Sequence, residues 1–197
     1  MDAIITYLRK RRGYARMKDM KASGFQTRDI RKLLEKGRIE KVKPGLYRLS
    51  NLPPGEEDGM VEICLAMPKA VICLSSALSF HELTTFVPTA VSFAIPASDK
   101  PAKLSRPPNE VFYFSEDQYN AGIEHHESKT GDIRIYDPEK TVCDLFRFRN
   151  RLGEDLALEG LREYLKRRNR DLHKLMKYAE VCRVKATVSQ YVKAIVG

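Results

Sequence analysis

From the N-terminus, Ala3, Ile4, Tyr7 and Leu8 recur at helical spacing and Gly13 stops the run, so the pattern predicts a first helix. A second short helix is expected over Arg16 to Ala22, with Met17 and Met20 facing inward and Ser23-Gly24 as the turn. Thr27 suits the N-cap of a third helix, because its hydroxyl can accept from a free first-turn amide. In that helix Ile30, Leu33 and Leu34 make the buried stripe, and Gly37 closes the end. Arg28, Arg31 and Lys32 project from the other side. Ile39 and Val42 lead into KVKPGLYRLS (41–50), which reads as a β-hairpin turning at Pro44-Gly45 and anchored by Leu46 and Leu49.

The pattern changes at NLPPGEEDG (51–59), where prolines, glycines and acids give linker chemistry. Residues 1–50 are therefore expected to form one domain and residues 60–197 a second. In the second, VEICLAMP reads as helix, and Val71 to Leu74 is a short apolar stretch ending at Ser75, a candidate cap for SSALSFHELT. VSFAIPA, EVFYF, GIEHHES and DIRIYD have strand composition. PEKTVCDLFRFRNRLG begins a helix with Pro138 in its first turn and Gly153 just past its end. Further amphipathic helices follow, with KRRNR (166–170) as a basic joint between two of them. The fold class expected is α+β: a winged helix-turn-helix, then a mixed α/β domain ending in a helical bundle.

Charge gives this outline a direction. The net charge is +9, but residues 1–48 hold 15 Lys+Arg against 5 Asp+Glu, and residues 161–197 hold 10 against 3. The middle is acidic. Two basic ends suit a polyanion, most simply DNA or RNA. A major groove about 12 Å wide admits one helix, whose N-terminal residues reach base edges. Gln26, Thr27, Arg28, Arg31 and Lys32 have the chemistry for this, while Lys41, Lys43 and Arg48 suit a wing held on the backbone. Lys166, Arg167, Arg168 and Arg170 would add phosphate contacts from the second domain. The blander alternatives are a solvated basic face and a winged domain that binds protein.

Other chemistry finds less support. Ser75, Ser76, His81 and Glu82 lack the Gly-x-Ser-x-Gly turn of a hydrolase. His125 and His126 are neighbours on a strand and point to opposite faces, so they do not chelate one metal. Asp132, Asp137, Glu139 and Lys140 are similar to the acid-acid-lysine cluster of metal-dependent nucleases, but the last acid and lysine are adjacent, and the helix start itself favours acids. Cys64, Cys73, Cys143 and Cys182 form no CxxC pair and are expected to be reduced core thiols. No catalytic residue, metal or cofactor is expected. Neither a secretory signal nor a membrane span is expected, so the localisation expected is cytoplasmic.

Three segments carry a family resemblance: GRIEKVKPGLYRLS, CLSSALSFHELTTFVPTAVSFAIP (73–96) and IRIYDPEKTVCDLFRFRNRLGEDLALEGLREYL (133–165). In that order the chain resembles the AbiEi family, antitoxins of type IV toxin–antitoxin systems that also act as transcriptional regulators. The resemblance implies a winged helix that binds double-stranded operator DNA and represses its own operon. It implies a C-terminal domain that counteracts a nucleotidyltransferase-like toxin, without requiring direct contact, and no enzymatic activity. DNA contacts would fall on the third helix and the hairpin lysines. The alternatives are a regulator without a toxin partner and a toxin-binding interaction module.

Overall fold

The computed structural model describes residues 2–53, 55–102, 104 and 106–196. Its chain forms two compact units. The first comprises Met1–Pro68 together with Ala102–Pro107 and Glu127–Asp132, and the second comprises the remainder.

In the first unit, α1 (Asp2–Lys10) buries Ile4, Ile5 and Leu8. The chain then forms a strand that the hydrophobic pattern does not predict, β1 (Tyr14–Arg16), before α2 (Met17–Ala22) and α3 (Thr27–Glu35). β2 (Ile39–Lys43) and β3 (Leu46–Leu49) follow, and α4 (Asp58–Ala66) completes the order. The strands make an antiparallel sheet in the order β1-β3-β2. Ile4, Leu8, Met20, Ile30, Leu33 and Ile39 share its core. The unit continues past residues 51–59, through α4 to Pro68.

The second unit is built on β4 (Val71–Ile72), β5 (Val91–Pro96), β6 (Asn109–Phe114), β7 (Ile123–Glu127) and β8 (Asp132–Tyr136), in the order β6-β5-β4-β8-β7. The tip of the β7–β8 segment, residues 127–132, is counted with the first unit. β4 runs antiparallel to β5 and parallel to β8, and β5 runs parallel to β6. The helices are α5 (Leu74–Phe80), α6 (Glu116–Asn120), α7 (Pro138–Arg147), α8 (Arg149–Leu152), α9 (Glu154–Lys166), α10 (Leu172–Val181) and α11 (Lys185–Val196). The chain is thus mixed α+β, as expected. All four cysteines are free and buried.

Two expectations need correction here. Ser75 is not a cap: Cys73 takes that position, and the Ser75 hydroxyl lies inside α5, bonded to Ser92 at 3.1 Å. The helix that starts at Pro138 does not run to Gly153 but breaks at Phe148 and resumes as α8. Phe148 is committed to aromatic packing, 5.3 Å from Phe112 and 5.7 Å from Phe114 between centroids.

Helix α7 is enclosed on all sides, since every residue from Glu139 to Phe146 is buried. A helix with no solvent face must neutralise its polar side chains internally. Lys140, fully buried, lies 2.7 and 2.6 Å from the two carboxylate oxygens of Asp144, one turn on. Its ammonium also sits over the rings of Tyr136 and Phe114, at 4.3 and 4.8 Å. Asp144→Ala would strand a buried ammonium and should cost about 3–5 kcal/mol in urea denaturation. Lys140→Met/Asp144→Leu should recover most of that loss, because no charge remains buried. A loss below about 1 kcal/mol in the single variant would be the behaviour of a surface pair and would refute this account.

Candidate nucleic-acid interface

Helices α2 and α3 are joined by residues 23–26, and both end in the same motif. After α2, the Gly24 amide donates to the Lys21 carbonyl at 2.9 Å and the Phe25 amide to Met20 at 3.1 Å. After α3, the Gly37 amide donates to Leu34 at 3.0 Å and the Arg38 amide to Leu33 at 2.9 Å. These crossed bonds are Schellman closures, which need a left-handed residue, and Gly24 and Gly37 have φ of +87° and +63°. Helix α3 starts one residue earlier than its hydroxyl suggests. Gln26, with extended backbone, is the N-cap, and Thr27 is the first helical residue. Thr27 is therefore not the cap, and its exposed side chain is free of that role.

Ile30 and Leu33 turn α3 onto the core, leaving Gln26, Thr27, Arg28, Arg31 and Lys32 exposed. A hollow of about 200 Å³ lies between α3 and the β2–β3 hairpin. Thr27, Arg31 and Lys41 line it, over Met17, Ile30 and Tyr47. Three of the residues expected to contact DNA are thus brought to one concave surface.

The hairpin separates its two lysines. At regular strand spacing, Lys41 and Lys43 would share a face. The register slips between them, with Lys41 opposite Tyr47 and Lys43 opposite Leu46, so Val42 is an inserted, fully buried residue. Such a bulge re-aims the side chain that follows it. Lys41 is exposed, whereas Lys43 is half-buried and donates to the carbonyl of Ala66 at the end of α4. Burial, reinforced by the charge of Arg16, pushes the Lys43 ammonium below its ordinary pKa.

Arg48 is also held within the unit. It donates to Glu62 at 2.8 Å and lies 3.4 Å from Glu40. Glu62 is only 3% exposed and also accepts from the Tyr14 hydroxyl at 3.2 Å. Burial, with the charge of Glu62, raises the Tyr14 pKa, so the phenol stays protonated as a donor. Arg16 donates to the Leu65 carbonyl at 3.2 Å. Arg16 and Lys43 together answer the carbonyl end of α4, where cations are favoured. Hydropathy patterning does not single out Arg16, Lys18 or Lys21, because the three-residue β1 carries no periodicity of its own.

In the second unit, Arg168 and Arg170 are exposed, and Arg170 donates to the Arg167 carbonyl at 3.1 Å. Lys166 pairs with Glu163 at 2.5 Å, and Arg167 is half-buried with a bond to the His81 carbonyl. The nuclease-like cluster is dispersed into ion pairs. Asp137 caps α7 by accepting from the Lys140 amide at 2.7 Å, and burial raises its pKa. Lys174 lies 3.1 Å from both Asp137 and Glu139. Asp132 is exposed and accepts from Arg12 at 3.0 Å. Among the described residues, no group of three or more His, Cys, Asp or Glu is placed to hold a metal ion. No helix among them is long and apolar enough to cross a membrane.

Residues 2–50 match the family model described as transcriptional regulator, AbiEi antitoxin. No curated protein matches the sequence. Among solved structures, the chain is similar in fold to the RV2827C protein from Mycobacterium tuberculosis. That likeness has a TM-score of 0.58 at 11% identity and covers 96% of this chain and 79% of the other.

The geometry divides the basic residues into internal and outward sets. Arg48→Ala should destabilise the protein by about 3–5 kcal/mol, because it leaves Glu62 buried without its cation. Lys41→Ala should change stability by no more than about 0.5 kcal/mol. Chemical denaturation of the two variants checks this division, and equal losses would contradict it.

Proposed function

We propose that this protein is a DNA-binding transcriptional regulator of the AbiEi antitoxin kind. In this reading α2 and α3 form a helix-turn-helix, the β2–β3 hairpin is its wing, and residues 1–50 carry the DNA contacts. The observation behind it is the single concave surface where Thr27 and Arg31 of α3 meet Lys41 of the hairpin. Exposed Gln26, Arg28 and Lys32 extend that surface along the same helix. Gln suits adenine, Arg suits guanine, and the lysines suit phosphate. Arg48 supports the wing from inside rather than touching DNA, and Lys43 is fixed in place by its bond to the end of α4.

The match over residues 2–50 supports the regulator assignment. The antitoxin role rests on that match and on the resemblance over residues 73–96 and 133–165. In this reading the chain represses its own operon in the cytoplasm, and the region beyond residue 60 counteracts a nucleotidyltransferase-like toxin. The basic joint around Lys166, Arg167, Arg168 and Arg170 then adds phosphate contacts, chiefly through the exposed Arg168 and Arg170.

A gel-shift series on duplex DNA from upstream of the gene tests the DNA-binding part. Wild type should bind that duplex in preference to a scrambled one. Arg28→Ala/Arg31→Ala should lose at least about fivefold in affinity, the lower bound of about 1 kcal/mol for losing a bidentate base contact, and should lose the preference with it. Equal binding by wild type and variant would sink the groove assignment. Binding by neither would sink DNA recognition altogether.

A further inference from the structure

A second hollow of the first unit, about 470 Å³, opens beside the hairpin turn. Arg16, Lys18, Lys21 and Lys43 line it, and none of its lining residues is a carboxylate. Lys18 and Lys21 are exposed and three residues apart on α2, which puts them on one face. Arg16 and Lys43 are half-buried, and their bonds to the Leu65 and Ala66 carbonyls fix where their charges sit. A guanidinium carries five donors and an ammonium three, so one carbonyl bond leaves each with donors to offer. Four cations converging without a counter-charge repel one another, and an anion in the hollow relieves that repulsion. Met17 lines this hollow and also the one between α3 and the hairpin, so the two adjoin.

We propose that this hollow is a phosphoryl-binding site, occupied by a backbone phosphate of the DNA duplex whose groove α3 enters. This assignment rests on the DNA-binding reading above and extends its footprint to α2. Lys18 and Lys21 make the charge contacts, and Arg16 and Lys43 form the fixed cationic wall. The contact carries no base information, so it sets affinity and salt dependence but not sequence preference.

The test uses the full chain and the Lys18→Ala/Lys21→Ala variant, in two arms. In the first, fluorescence anisotropy with the upstream duplex is repeated over a range of salt concentrations. The variant's log–log salt slope should be shallower than wild type by about 0.9, the value for one phosphate, with its preference over scrambled duplex retained. In the second arm, thermal melting is followed with AMP and with inorganic phosphate. If wild type binds DNA and the slope is unchanged, the backbone assignment is overturned. The hollow then stands as a site for a free phosphate ester only if AMP or phosphate raises the wild-type midpoint and not the variant's. If wild type binds no DNA, the regulator reading fails, and the melting arm alone decides the site. No slope change together with no midpoint shift removes the site entirely.

Discussion

The carboxylate of Glu62 sets the terms for the first unit. A buried charge is tolerable only when it is paired and hydrogen-bonded, and here Arg48 and Tyr14 meet that demand from β3 and β1. The same helix end draws Arg16 and Lys43 to its last carbonyls. α4 is thereby tied to the three-stranded sheet at four points, and three cations from the basic N-terminal stretch are committed to internal bonds. The cations left outward include those on α2 and α3 and Lys41, with Arg9 and Lys10 of α1, Arg11 and Arg38, while the exposed Arg12 is paired with Glu127 and Asp132. The large positive charge counted over residues 1–48 thus overstates what is offered to a partner, and burial decides which part of it is offered.

What could be read from the sequence follows from how local each determinant is. The α3 stripe of Ile30 and Leu33, its Gly37 closure and the Pro44-Gly45 turn depend on neighbours within a few residues, and all are where the pattern placed them. β1 is three residues long, and its only reason to be a strand is pairing with β3, so no periodicity could reveal it. That Lys43 faces away from Lys41 has no signal in the sequence, because a bulge changes facing without changing composition. The internal pairing of Arg48 has none either, because its partner Glu62 lies beyond a stretch that resembles a linker. Thr27 and Ser75 show that a hydroxyl near a helix start does not identify the cap residue.

The second unit shows the same competition between chemistry and packing. Asp137, Glu139 and Lys140 suggest a reactive cluster when read along the chain. In the fold, Asp137 and Glu139 share Lys174, while Lys140 turns into the core toward Asp144. The ammonium of Lys174 between these two carboxylates offsets their charge. The arrangement locks α10 onto the start of α7.

The paired Schellman closures at Gly24 and Gly37 bear on how the first unit meets a partner. They fix the terminal carbonyls and exit directions of α2 and α3 before any ligand arrives. Little backbone entropy is then left to lose on association, so in the proposed reading the opposing cost falls chiefly on the long side chains of Arg28, Arg31 and Lys32. Encounter on such a rigid frame is governed by steering charge rather than by a folding step. In the proposed DNA-binding reading, discrimination rests on how long the duplex stays, set by how well a fixed array of side chains matches the groove.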